Sequence, residues 1–263
     1  MLYFLRTHWI LIIFVLVFTY FFWILYSLSN SNSKLTYLRD DIAKKNQNIN
    51  ELSNQIAFIK SKWWKNYKEK TIKSYDLTSD NSITKFVNSS VSFNDKKYVP
   101  ENLESISSDF IIDSKGNWKI IKIANTYLEK MSEVFYRNFW KKIIVVSSYR
   151  SYAYQKGIKD RWCPDNLCAK AWYSEHQSGL AIDLWETTTN NEFMSKKNLK
   201  EYYKWLNKNA YKYGFHNTYQ KWLEIDWYEI EPWHWRYLWV ELATELKSKN
   251  ITIAEYYNKI KKS

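Results

Sequence analysis

Hydrophobic and polar positions divide the chain into distinct textures. From Trp9 to Leu28 the sequence WILIIFVLVFTYFFWILYSL runs for twenty positions without a charged residue. A helix needs about that many to cross the hydrocarbon layer, so 9–28 is expected to be a transmembrane helix behind a short cytoplasmic end at 1–8. The rest of the chain would then lie on the extracytoplasmic side of a cell membrane, in a single-pass arrangement. A cleaved signal peptide is the competing reading. Its apolar region is usually only about 7 to 15 residues, and Ser27 and Ser29 are weak substitutes for its small-residue cleavage site.

Within 33–62, Leu35, Leu38, Ile42, Ile49, Leu52, Ile56 and Ile59 recur at spacings of three and four, with Lys45 filling the missing place. Such a seam predicts either a coiled-coil stalk, which would join copies into a homo-oligomer, or a single amphipathic helix lying on the domain or a membrane. Residues 63–97 are rich in Lys, Ser and Asn and read as linker. A globular domain is expected over 98–260. In it, Ile121 to Asn138 has helical period, and Lys142 to Ser148 is a β-branched run of the kind that forms a buried strand. Leu180 to Trp185 and Trp233 to Leu238 are further strand candidates, and Leu199 to Phe215 reads as a helix closing near Gly214. These elements interleave without a strict βαβ rhythm, which favours an α+β class.

The formal net charge is +12, from 39 Lys plus Arg against 27 Asp plus Glu. The basic residues are spread along the chain, which indicates polyanionic surroundings and no nucleic-acid site. Cys163 and Cys168, in CPDNLC, are the only cysteines, and in an exported chain they are candidates for a loop-closing disulfide.

Two of the four histidines stand in chemically suggestive company. His176 and Asp183 are separated by QSGLAI, a glycine turn leading into a strand, so their side chains can converge. His234 follows in EPWH, with Glu231 three positions ahead. Two imidazoles and one carboxylate make a three-ligand set with an open coordination place, the arrangement of a catalytic zinc ion, and Glu231 is the natural base beside it.

The stretches SSYRSYAYQ, YSEHQSGLAIDL and EPWHWRYLW resemble the VanY-type D-alanyl-D-alanine carboxypeptidases, zinc peptidases of the cell wall. The resemblance covers the chain from about Tyr98 to Tyr256. It implies a small antiparallel sheet with flanking helices, one Zn2+ held by His176, Asp183 and His234, and Glu231 as catalytic base. It also implies that Arg150 handles substrate oxygen charge and that Gln155 and Ser174 line the cleft. Zinc acts as a Lewis acid on the scissile carbonyl and brings the pKa of water to about 7, while an arginine fork suits an oxyanion or a terminal carboxylate.

These readings lead to a membrane-anchored D,D-carboxypeptidase that removes terminal D-Ala from peptidoglycan stem peptides. An L,D-carboxypeptidase acting on tetrapeptide stems is the alternative, and a non-catalytic wall-binding module is a further one from a different class.

One anomaly remains. The chain has 4 glycines, where average usage of about 7% would give roughly 18, and 15 tryptophans. Trp172 and Trp239 stand where the resembled family usually has glycine, and Trp140, Trp162, Trp222 and Trp227 fall at positions that read equally like displaced glycines. Either the gene reads UGA as glycine and has been translated with tryptophan, or the chain is truly rich in tryptophan.

Overall fold

The computed structural model describes the backbone of residues 2–69, 75–161, 163–186, 189–221 and 223–262, with side chains from 18 onward apart from 57–74. Two compact units result, Met1–Ser74 and Tyr75–Ser263. The first is one helix, α1 (Leu2–Glu69), which takes in both the apolar run and the heptad segment. Among the described residues no helix is long and apolar enough to cross a membrane, so the expected span at 9–28 is not supported there. The side chains of 9–17 lie outside the described residues. The seam residues from Leu35 to Ile56 are 46–58% exposed along α1.

The second unit begins at Tyr75, which corrects the linker expected up to residue 97. Leu77, Phe86, Val87 and Phe93 are buried, and Leu77 and Phe86 share a core with Leu238, Leu242, Leu246 and Ile253. Its polar residues are turn formers: Asp76 Oδ1 accepts from the backbone of Thr78 and Ser79, and Asn88 Oδ1 from Ser90 and Val91. Asp and Asn side chains used this way give a turn composition that looks like linker.

The elements follow in the order β1 (Leu103–Ser105), β2 (Ile111–Asp113), β3 (Lys119–Ile121), α2 (Lys122–Phe139), β4 (Ile143–Ser147), α3 (Tyr152–Lys159), β5 (Ala181–Leu184), α4 (Asn190–Ser195), α5 (Lys197–Asn209), β6 (Phe215–Asn217), α6 (Leu223–Asp226), β7 (His234–Tyr237), α7 (Val240–Lys249) and α8 (Ile253–Lys261). The fold is α+β. A five-stranded sheet has the order β2-β4-β5-β7-β6, and β1 pairs with β3 separately. Within the larger sheet β2 and β4 run parallel and the other pairs antiparallel, so the expected all-antiparallel sheet is corrected at one edge. The chain between β2 and β4 contains α2, the kind of crossover a parallel pair requires. Ala124, Leu128, Met131 and Phe135 on the buried face of α2 join the main core with Ile143, Val145, Leu180, Ile182 and Leu184. Strands β5 and β7 lie inside the sheet and are buried along their whole length.

Gly179 turns the chain into β5 with φ +67°, and a Cβ there would stand 2.8 Å from Leu103 Cδ2. Gly179→Ala is therefore expected to lower unfolding free energy by about 2 kcal/mol, read as a shift of denaturant midpoint at unchanged slope.

Seven non-glycine residues have positive φ among those described: Asn102, Asn250 and five tryptophans. Trp140 (52°), Trp172 (57°), Trp227 (69°) and Trp239 (67°) are positions that the sequence marks, and Trp185 (57°) is an addition. Trp162 and Trp222 lie outside the described residues.

Candidate metal centre

The register of the two central strands builds the site. Asp183 of β5 pairs directly with His234 of β7, and directly paired residues project to the same face of a sheet. A 3₁₀ turn at Glu175–Ser178, capped by Ser174 and closed by Gly179, brings His176 alongside. The potential donor atoms of His176, Asp183 and His234 all lie within 4.8 Å of one another, and all three residues are buried. His176 Nε2 is 3.1 Å from Asp183 Oδ2, and His234 Nδ1 is 3.0 Å from Asp183 Oδ1.

Each imidazole is fixed from behind. The distal nitrogen of His176, Nδ1, lies 2.7 Å from the Ser148 carbonyl, to which it can only donate. That assigns its proton to Nδ1 and leaves the Nε2 lone pair for an ion. On His234 the roles are reversed, with Nε2 2.8 Å from Glu175 Oε2 and Nδ1 facing the other ligands. A donor set of two imidazoles and a carboxylate, with the far nitrogen of each imidazole bonded, fits a single zinc ion with a coordination place left open.

Electrostatics agree with that chemistry. Burial lowers His176 to about 4, so its neutral, ligating form prevails at neutral pH. Burial opposes ionisation of Asp183, but His176 and Arg150 outweigh it and hold this carboxyl well below its usual range. For His234 burial is likewise overcome, here by hydrogen bonds to Asp183 and Glu175 that raise it to about 10. An ion can bind only the deprotonated Nδ1. Metal uptake at pH 7 is therefore expected to release a proton and to weaken as pH falls, a result that calorimetry in buffers of different ionisation enthalpy would show.

Glu231 precedes His234 in the loop entering β7, its Oε2 3.9 Å from His234 Nδ1 and outside the ligand set. Burial raises it to about 8. Arg150 donates from Nη2 to Asp183 Oδ2 at 2.6 Å and from Nε to Ser147 Oγ at 2.8 Å, while Gln155 anchors to the Ala169 carbonyl. These groups, with Ser174, line one cavity of about 470 Å³. Cys163 and Cys168 are disulfide-bonded, with Cα atoms 5.7 Å apart, and line it as well.

The structure thus gathers every site residue anticipated from sequence. It also adds two that were missed. Asn217 of β6 donates to the carbonyls of both Glu231 and His234, at 2.8 and 2.7 Å, and so clamps the turn between base candidate and ligand. Glu175 supports His234. An Asn at the end of a three-residue strand carries no sequence signal, whereas a Glu directly before a ligand histidine is a visible hint.

A buried His-Asp-His set, an adjoining carboxyl group and an open cleft on an α+β scaffold make up a mononuclear metal centre of the kind hydrolases use. Residues 118–240 match the family model described as VanY, D-alanyl-D-alanine carboxypeptidase. The protein YodJ of Bacillus subtilis (strain 168), which carries a carboxypeptidase name, is 33% identical over 174 residues, 63% of each chain. The structure reported as that of the LdcB LD-carboxypeptidase is 31% identical with a TM-score of 0.58, covering 68% of this chain and 87% of that one. A vancomycin-resistance D,D-pentapeptidase VanY variant in complex with Zn(II) is 28% identical with a TM-score of 0.50, covering 65% and 97%. The chain belongs to the VanY-type carboxypeptidase family. It spans 63% of the length of two of the curated relatives it matches and 47% of a third.

Proposed function

We propose that the chain is a zinc-dependent carboxypeptidase that removes the terminal D-Ala from peptidoglycan stem peptides with D,D specificity. The observation that carries this reading is the ligand triad facing a cleft that also holds Glu231 and Arg150. His176, Asp183 and His234 would hold the ion, which supplies Lewis acidity to the scissile carbonyl and to an attacking water. Glu231 takes the proton of that water at its carboxylate and returns it to the leaving amine. Glu231 would be held in its basic carboxylate form at neutral pH by the charge of an ion bound at these ligands. Arg150 offers a fixed positive fork to the substrate carboxylate or the developing oxyanion, with Gln155 and Ser174 at the cleft wall.

The similarity to an LD-carboxypeptidase structure favours a second reading, L,D cleavage of tetrapeptide stems. A competition between a pentapeptide and a tetrapeptide stem separates the two. Preferential loss of D-Ala from the pentapeptide supports the D,D reading, and preferential tetrapeptide trimming replaces it with the L,D one.

The twenty apolar residues at 9–28 support anchoring to a cell membrane with the catalytic unit on the extracytoplasmic side. The exposed seam of α1 supports joining of copies through a coiled coil. Flotation of the full chain with vesicles and its sedimentation test these two points.

A further inference from the structure

Behind the metal centre lies a polar chain that the proposed chemistry does not use. Glu175 directly precedes the ligand His176 but points the other way, into the interior, with its side chain 1% exposed. Its Oε2 accepts from Thr218 Oγ1 at 2.7 Å and from His234 Nε2 at 2.8 Å, and its Oε1 accepts from Arg236 Nη1 at 3.1 Å. Arg236 is fully buried and donates from Nη2 to the carbonyls of Ile83 and Lys85, at 3.2 and 2.9 Å. Those carbonyls belong to the polar segment 75–97. A carboxylate that sits this deep needs both a charge partner and full hydrogen bonding, and Glu175 has them.

We propose that Glu175 is a positioning residue for the metal centre: it holds the proton on His234 Nε2 so that Nδ1 faces the ion, and Arg236, held by the 83–85 backbone, keeps the carboxylate in place. The inference rests on the metal-site reading above. A hydrogen-bond acceptor behind a ligating imidazole fixes its tautomer and ring plane and strengthens its donation, and loss of one typically weakens metal binding about 10- to 100-fold. The same line of contacts makes segment 75–97 part of the site's support.

The test is zinc affinity of the full chain, measured by competition with a chromophoric chelator, in parent and Glu175→Gln. The glutamine keeps the shape, and it presents a mixed donor and acceptor where a full carboxylate stood. Zinc binding weakened about 10- to 100-fold is expected, together with a changed visible spectrum of the Co(II)-substituted protein, a readout of ligand geometry that fold stability alone would not move. Affinity within twofold of the parent and an unaltered Co(II) spectrum would overturn the proposal. Should Glu175→Gln fail to fold, Thr218→Val decides: it removes one hydrogen bond to the carboxylate and keeps the charge. Affinity weakened roughly 2- to 10-fold supports the proposal and unchanged affinity overturns it. A parent chain that binds no zinc would instead overturn the metal-site reading itself.

A separate observation, the backbone of the tryptophans, carries a second inference. Asparagine tolerates the left-handed region, whereas a bulky residue there is an outlier. Trp140 is the left-handed C-cap of α2, its N–H donating to the Tyr136 carbonyl at 2.7 Å, a seat usually taken by glycine. Trp239, at φ 67° and ψ 152°, lies in a region that is essentially glycine-only. We infer that residues 140, 172, 185, 227 and 239 are glycines in the organism, encoded by UGA. Reading the gene tests this: UGA is expected at those five codons, and UGG at 205, 233 and 235, whose tryptophans have ordinary backbone. Any assignment in which codon and backbone do not sort together overturns it.

Discussion

Glu231→Gln is expected to leave fold and zinc stoichiometry unchanged and to lower turnover of a stem peptide by about 10²- to 10⁴-fold. The substitution preserves volume in a pocket where the side chain is 12% exposed, and Glu231 stands apart from the three clustered ligands, so the ion keeps its donors. What the amide loses is the ability to take a proton. The loss should fall on kcat, because a proton acceptor acts in the transition state and not in ground-state binding. Turnover within twofold of the parent would mean that the proton goes elsewhere.

Restoring glycine at 140, 172, 227 and 239 together is expected to raise unfolding free energy by about 3 to 6 kcal/mol, from roughly 1 kcal/mol or more of backbone strain relieved at each position. Packing losses there are small, since Trp140 is 74%, Trp227 44% and Trp239 38% exposed. Trp172 does give up contacts, its ring stacked on Tyr152 at 5.3 Å with Lys96 Nζ 4.4 Å from the ring centre. Chemical denaturation of the fourfold variant against the parent measures the change. A fourfold variant less stable than the parent would show that the left-handed backbone at these positions is not a burden.

The site was legible because its residues lie in two short motifs whose local geometry does the assembly. His176 and Asp183 are joined by one glycine turn, and Glu231 and His234 by one loop, so only the β5 and β7 pairing is needed to unite them. Strand β4 showed as a β-branched run, whereas β7, with His234 and Arg236 in its four residues, showed through its aromatic residues. Other parts depend on long-range contacts that no local pattern encodes. The parallel pairing of β2 with β4 involves a three-residue strand with no periodicity to detect. Segment 75–97 was hidden because its Asp, Asn and Ser residues serve as turn formers around a few buried apolar side chains, a composition shared with linkers. Glu175 and Asn217 act on the site from behind, through contacts 59 residues apart for Glu175 with His234 and 17 for Asn217 with His234.

The most direct test of the account is incubation of the full chain with pentapeptide and tetrapeptide stems, with and without a chelator, and identification of any released amino acid by mass. Release of a single D-Ala that the chelator abolishes and zinc restores is the predicted result. No release from either peptide by folded, zinc-loaded protein would contradict it and shift the weight to a wall-binding module.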